Sequence, residues 1–382
     1  MIKHTSSYGL KACWIALRHV LPDCSSARID GHQYFQPVGR IEFNYFIRMD
    51  TFPVITSVLS PEHLTSWVAA QYGFRNATCR LLKTNMNDSY LITAEEGRFV
   101  LRVYNQKHRT FKQVSEEVRL LLLLKEQGVA VSYPVANRDG RFILEVQAPE
   151  GVRLLVLFSF AEGDKIRYLS PEMSRSIGVL MGQLHAATAA VKTTRIRYSA
   201  EVLAGWAYTQ VRQHFGNCKA ELSFMKACEA MLQKAFSNPA LRTGIVHLDI
   251  WYDNMSIHTD GTVTLFDFDN CGTGLLVLDL GYYCMQLYQI ESDKTIYEKK
   301  KQHFIEGYCS VMPVSDEELK LIPLAGLAVW IYYLGVQTER YDSFGNRFLS
   351  ANYIKMFLGR AQDWLVHNKV VVESGTTVAS SE

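Results

Sequence analysis

The amino-acid sequence predicts an α+β protein of two lobes, a strand-rich part followed by a mostly helical part. Three observations point there. Between residues 79 and 160, short runs of β-branched, aromatic and aliphatic residues alternate with turns containing Gly, Asn and Asp, around one long helical pattern. From Pro171 onward, apolar residues recur instead at three- and four-residue spacing. The chain has 382 residues, 48% hydrophobic and 20% charged, an ordinary globular composition at a length that suits two lobes.

Each element can be justified in turn. Ser60-Pro61-Glu62 opens a helix, with Ser as N-cap, Pro at the first position and an acid in the first turn. It runs to about Gln71 with Leu64, Trp67 and Val68 on one face, and Gly73 ends it. A strand is expected near Cys79 to Leu82. Tyr90 to Thr93 and Phe99 to Tyr104 form a hairpin joined by Ala94-Glu95-Glu96-Gly97-Arg98. In its second strand Phe99, Leu101 and Val103 face one way, and Val100, Arg102 and Tyr104 the other. Arg102 is then a charge among apolar residues, which needs a partner or an edge position open to water.

Thr110 caps a helix that reaches Gln127 and stops at Gly128, with Val114, Val118, Leu121 and Leu122 on its face. Val129 to Val135, Phe142 to Val146 and Leu154 to Phe160 read as strands, the first two around an Asn137-Arg138-Asp139-Gly140 turn. Pro171 to Thr188 is a helix with Ile177, Leu180, Met181 and Leu184 inward. More helix is expected within Glu201 to Leu232 and at Tyr282–Ile290, Lys301–Val311, Asp316–Glu339 and Ala351–Asn368. His185 is expected to be structural, and Trp330, Tyr332 and Tyr333, at helical spacing, to lie in the core rather than in a pocket.

The chain is organised around Gly244 to Asp279, which reads as loop, strand, turn, strand, loop with acids at the loop ends. Asp249 and Asn254 have the spacing of H-x-D-x-x-x-x-N, the catalytic loop of phosphoryl-transfer enzymes. There the Asp accepts the proton of an attacking hydroxyl and the Asn binds Mg²⁺. A second metal-binding Asp follows a short strand, the place occupied here by Asp267. Hard oxygen donors in that number suit Mg²⁺, which is usually held by one or two carboxylates together with substrate phosphates.

On these residues the chain resembles the aminoglycoside phosphotransferase and choline kinase superfamily of small-molecule kinases, whose members read H-G-D-L-H-x-x-N, I-D-F-D and D-L-A. His247, Asp249, Asn254, Asp267 and Asp279 match; Leu248, usually Gly, and Trp251, usually His, depart. Phe266-Asp267-Phe268-Asp269-Asn270-Cys271-Gly272 resembles the homoserine kinase-like members. The resemblance covers most of the chain after Met49. It implies a bilobal protein-kinase-like fold, with a nucleotide-binding N-lobe over 49–160, an antiparallel sheet plus helix, and a catalytic C-lobe over 161–368. It also implies ATP and Mg²⁺ as cofactors. Asp249 would be the base, Asn254 and Asp267 the metal ligands, and Asp279 the buried brace of the catalytic loop.

Arg102 would contact the α- and β-phosphates, paired with Glu117, or with Glu116 in its place. Backbone groups of Ser159 and Ala161 would meet adenine. Lys83 to Asp88 lacks the Gly-rich pattern of protein kinases, and Asn87 stands where the family's phosphate loop would lie, either in that role or in a plain turn. The implied acceptor is a small hydroxylated metabolite, homoserine or a related amino alcohol leading. A protein Ser/Thr kinase of the bacterial stress-response type, an aminoglycoside or choline/ethanolamine kinase and an inactive nucleotide-binding module are the alternatives. Retention of Asp249 argues against the last, and the lack of an acidic cluster in the C-terminal third argues against polycationic acceptors.

Forty basic and 38 acidic residues give a net charge of +2, which offers no electrostatic case for nucleic acid or an anionic membrane. The eight cysteines are scattered without a C-x-x-C pair, as expected of free thiols in a cytoplasmic protein. Residues 1–48 lack helical or strand periodicity and are expected to lie outside the folded enzyme, with Met49 as the native start. The Ser/Thr-rich end, 369–382, is expected to be a disordered tail.

Overall fold

The computed structural model describes residues 52–84, 86–106, 108–342 and 347–372. The expectations for residues 1–48 and for 373–382 lie outside these. Helix α1 (Pro61–Tyr72) is capped by the Ser60 hydroxyl and closed by Gly73 at φ +74°. It lies against one face of a six-stranded antiparallel sheet: β1 (Thr78–Lys83), β2 (Asn87–Ala94), β3 (Gly97–Tyr104), β4 (Pro134–Val135), β5 (Ile143–Ala148) and β6 (Gly151–Ser159). The order is β1-β2-β3-β6-β4, with β5 also paired to β6.

Alternation sorts the strands into two faces. Tyr90, Ile92, Leu101, Val103, Leu155 and Leu157 pack with Leu64 and Val68 of α1, each burial contributing about 1.5–3 kcal/mol. Tyr104, Val156 and Phe158 point the other way, into the main core shared with helix α2 (Phe111–Glu126) and the second lobe. The expected strand at 129–135 is divided. Pro134–Val135 joins the sheet, whereas Ala130 O accepts from Leu265 N–H at 3.0 Å and Ser132 N–H donates to Leu265 O at 2.9 Å. Its first half therefore ties the two lobes together.

The second lobe is mostly helical: α3 (Pro171–Ala187), α4 (Trp206–Phe215), α5 (Lys219–Phe236), α6 (Val277–Ile290), α7 (Lys294–Cys309), α8 (Asp316–Glu339) and α9 (Ala351–His367). A five-residue π-turn, Glu201–Gly205, feeds α4. Helix α8 is long and apolar enough to cross a membrane, but it is the central, mostly buried helix of this lobe. Helices α6 and α8 cross closely because a Cβ on Gly281 would meet the Gly326 nitrogen at 2.4 Å. Residues 369–372, expected in the tail, return to the lobe, where Val370 N–H donates to Leu365 O and Val370 and Val372 pack on the core.

Candidate active site

Two small ribbons present the motif residues. Strand β7 (Thr243–Val246) pairs with β10 (Gly272–Leu275), and β8 (Met255–Ile257) with β9 (Val263–Leu265). The loops at their ends, 247–254 and 266–270, lie side by side, with Phe266 N–H donating to Asn254 O at 3.0 Å.

The first loop is shaped by a buried carboxylate. Helix α6 begins before Asp279, so Asp279 lies in its first turn rather than in a loop. Its oxygens accept the backbone N–H groups of His247 (2.8 Å) and Leu248 (2.7 Å), with His185 Nε2 at 3.1 Å. Leu248 takes φ +67°, the left-handed conformation that a glycine adopts freely. His247 accepts the Asp249 N–H at Nδ1 (3.2 Å), and its Nε2 donates to Phe266 O (3.1 Å). Those partners require the neutral ring, and burial lowers its pKa.

Asp249 is recessed at the floor of a cleft. Burial and the neighbouring Asp267 raise its carboxyl to about 7 against the hydrogen bonds from Tyr333 and Asn254. Asn254 uses its amide nitrogen on Asp249, donating to Oδ2 at 2.7 Å and to the backbone oxygen at 3.1 Å. Its amide oxygen is not used in these contacts. Asp267, at φ +66°, accepts from Arg102 Nη2 at 2.8 Å.

Arg102 also reaches Glu117 Oε1 at 3.4 Å. Glu117 is buried and has Tyr104 OH at 3.3 Å and Arg195 Nη1 at 3.6 Å. Glu116, the other acid considered, accepts instead from Thr193 and Thr194 on the second lobe. Asp269 is held by Arg109 Nε (3.1 Å) and His108 Nε2 (2.8 Å). Burial works against its charge, yet the Arg109 guanidinium and the hydrogen bond from His108 keep the carboxyl far below its usual range.

Two cavities meet at these residues. One, about 200 Å³, lies under the sheet against Val100, Phe158, Phe160, Ala161 and Phe268. The other, about 430 Å³, runs from Asp249 and Trp251 toward Tyr282, Trp330, Tyr333 and Phe357 of the helical lobe. Lys83, Ser89, Arg102, Asn254 and Asp267 line both.

The structure therefore brings Asp249, Asn254, Asp267, Arg102 and Glu117 together, with Ala161 on the smaller cavity. Asn87 lines the larger cavity and not the smaller. Ser159 points elsewhere: its N–H donates to Tyr133 O at 2.8 Å and its carbonyl accepts from the Ser132 hydroxyl at 2.6 Å. Lys83, Ser89, Asp269 and Arg195 did not emerge from the sequence as site residues. Lys83 had one signal, a cation at a strand end beside the polar loop. Of the aromatics expected in the core, Trp330 and Tyr332 are buried there, Tyr332 against Tyr198 and Trp206. Trp330, and Tyr333 packed on that core, also line the cavity because α8 forms its wall.

A small antiparallel sheet lobe, a helical lobe and a cleft carrying an H-x-D-x-x-x-x-N loop define a protein-kinase-like fold. The chain belongs to the phosphotransferase enzyme family, whose profile matches residues 79–314. Among its relatives is the homoserine kinase of Methylobacillus glycogenes, 23% identical over 249 residues, covering 64% of this chain and 75% of that enzyme. Two solved structures share the fold. The amicoumacin kinase hAmiN, in complex with AMP-PNP, Ca²⁺ and Ami, is 20% identical at a TM-score of 0.67, covering 81% of this chain and 94% of its own. The microcompartment-associated aminopropanol kinase is 19% identical at 0.65, covering 81% and 99%.

Proposed function

We propose that the protein transfers the γ-phosphate of ATP to a hydroxyl of a small metabolite, with Mg²⁺ as cofactor and homoserine or a related amino alcohol as the leading acceptor. The observation that carries this reading is the convergence of Asp249, Asn254, Asp267 and Arg102 where the two cavities meet. The smaller, apolar cavity takes adenine beside Ala161. The larger takes the acceptor, whose hydroxyl Asp249 orients and deprotonates. Arg102, steadied by Glu117, and Lys83 face the phosphates. The Asn254 amide oxygen and the Asp267 carboxylate are hard donors that would hold Mg²⁺. Among the described residues no three His, Cys, Asp or Glu side chains gather as a metal cage, which fits an ion bound largely through substrate phosphates. When bound, the ion supplies charge neutralisation on the transferring phosphate. The homoserine kinase relative and the aminopropanol kinase neighbour support an acceptor of this size.

An ATP-consumption screen over amino alcohols, hydroxy amino acids, aminoglycosides, choline-like amines, sugars and protein substrates identifies the acceptor. Asp249→Asn should lower turnover roughly 10²–10⁴-fold while retaining AMP-PNP binding. A wild-type rate in that variant removes Asp249 from the chemistry. Asp267→Ala should weaken Mg·ATP binding more than metal-free ATP binding by calorimetry. Equal losses would take it out of the metal site.

A further inference from the structure

The larger cavity is asymmetric in charge. Its floor carries Asp249, and the acids beside it are Asp267, bonded to Arg102, and Asp269, held by Arg109 and His108. Its far wall, built from the end of α8 and from α9, presents Arg340 and Arg360 with Gln337 and Tyr353. Among the described residues no Asp or Glu lines that wall. Arg340 follows the last residue of α8, and burial lowers its guanidinium pKa. The neighbouring Glu339 opposes that shift, and the guanidinium can add a charge-assisted hydrogen bond to an anion bound in the cavity. Arg360 acts electrostatically on the Tyr353 hydroxyl, which donates to Gln337 at 2.9 Å. Between floor and wall, Tyr282 stacks on Tyr333 with ring centroids 5.2 Å apart, and Trp330 on Phe357 at 4.5 Å.

The geometry points to an acceptor that carries a carboxylate or phosphate as well as its hydroxyl, the hydroxyl at Asp249 and the anion at Arg340 and Arg360. The intervening carbons lie against the Tyr282–Tyr333 stack. The assignment rests on the phosphotransferase reading and narrows it: amino alcohols without an anionic group become poor ligands. An aromatic wall alone would also suit a quaternary ammonium, but two guanidinium groups beside it repel a cationic ligand.

Binding tests this independently of turnover, because Trp251 and Trp330 line the cavity and report by fluorescence. The full chain, loaded with Mg²⁺ and AMP-PNP, is titrated with two pairs that differ by the anion: L-homoserine against 3-aminopropan-1-ol, and glycerol 3-phosphate against glycerol. Choline is the cationic control. The anionic member of one pair should bind at least about tenfold more tightly, and which pair does so separates carboxylate from phosphate. Arg360→Gln, at an exposed position, should remove most of that preference and leave AMP-PNP binding unchanged; Arg340→Gln should do the same. Equal binding within both pairs, preference for choline, preference surviving both substitutions, or no binding of any probe up to roughly 10 mM overturns the proposal. Failure of the phosphotransferase reading looks different: the anion preference persists, with no transfer of phosphate to any bound acceptor.

Discussion

Arg153 shows how far one buried charge can organise a lobe. Its side chain has no exposed surface, yet its donors are used: Asp88 at 2.8 Å, Asn105 at 2.7 Å, and the carbonyls of Ser57, Val103 and Tyr104. The chain ahead of α1 is thereby fastened to the sheet. Burial raises the Asp88 carboxyl, and Arg153 opposes that shift. Replacing Arg153 by Met keeps the length and removes the charge, leaving a buried carboxylate unpaired. We expect Arg153→Met to cost about 3–5 kcal/mol, read as a lower denaturant midpoint. A loss below about 1 kcal/mol would mean that water or a shifted strand replaces the guanidinium. Nothing in the sequence marked Arg153, because it precedes an apolar run and its partners come from three separate segments. Leu248 was legible as a departure from glycine, but not as a residue that takes the glycine conformation. The left-handed backbone costs roughly 1–2 kcal/mol. The two backbone hydrogen bonds to Asp279 and complete burial of the side chain offset it.

At the scale of elements, local signals sufficed where the chain itself ends a structure. Ser60 with Gly73, Thr110 with Gly128 and Ser315 before Asp316 bound α1, α2 and α8 as capping chemistry predicts. They failed where a distant segment decides. Strand β10 contains Gly272 and Gly274, poor strand formers. They are there because a Cβ on Gly272 would meet Ile196 O at 2.4 Å, and one on Gly274 would meet Leu278 Cδ1 at 2.9 Å. Helix α2 offers a test of such long-range contacts. Burial pushes the Glu116 carboxyl up, but the hydroxyls of Thr193 and Thr194 and the Thr194 N–H bring it down to about 2. A depressed folded pKa stabilises above the unfolded value of about 4.3 and loses that contribution as pH falls toward 2. Glu116→Gln should therefore lower stability by about 1 kcal/mol at pH 7, and the gap from wild type should narrow as pH falls below about 4 and close near pH 2. Chemical denaturation at the two pH values checks it; a gap that stays constant would show packing, not charge, at that contact.

For the molecule as a whole, the arrangement of the lobes was legible but the way they are joined was not. The connections lie along the α2 side of the cleft. Arg195 reaches from the second lobe to Gln113 O at 2.7 Å and to Glu117. Arg109 and His108, from the segment between β3 and α2, hold Asp269 in the second lobe. These ties lie beside Arg102 and Asp267, so the angle between the lobes and the distance between those two residues are set together. Asp269 is nearly inaccessible, with 5% of its side chain exposed, and removing it leaves Arg109 facing a buried gap. We expect Asp269→Ala to cost about 3–5 kcal/mol, a fall in melting temperature of roughly 5 °C for a chain of this size. Amide exchange should separate a lobe clamp from a general loss of stability. In the native state, exchange should rise at the start of α2 and in the 266–270 loop, while α3 and α7, packed within the second lobe, keep their protection. If α3 and α7 loosen equally, Asp269 supports the helical lobe itself and not its junction with the sheet.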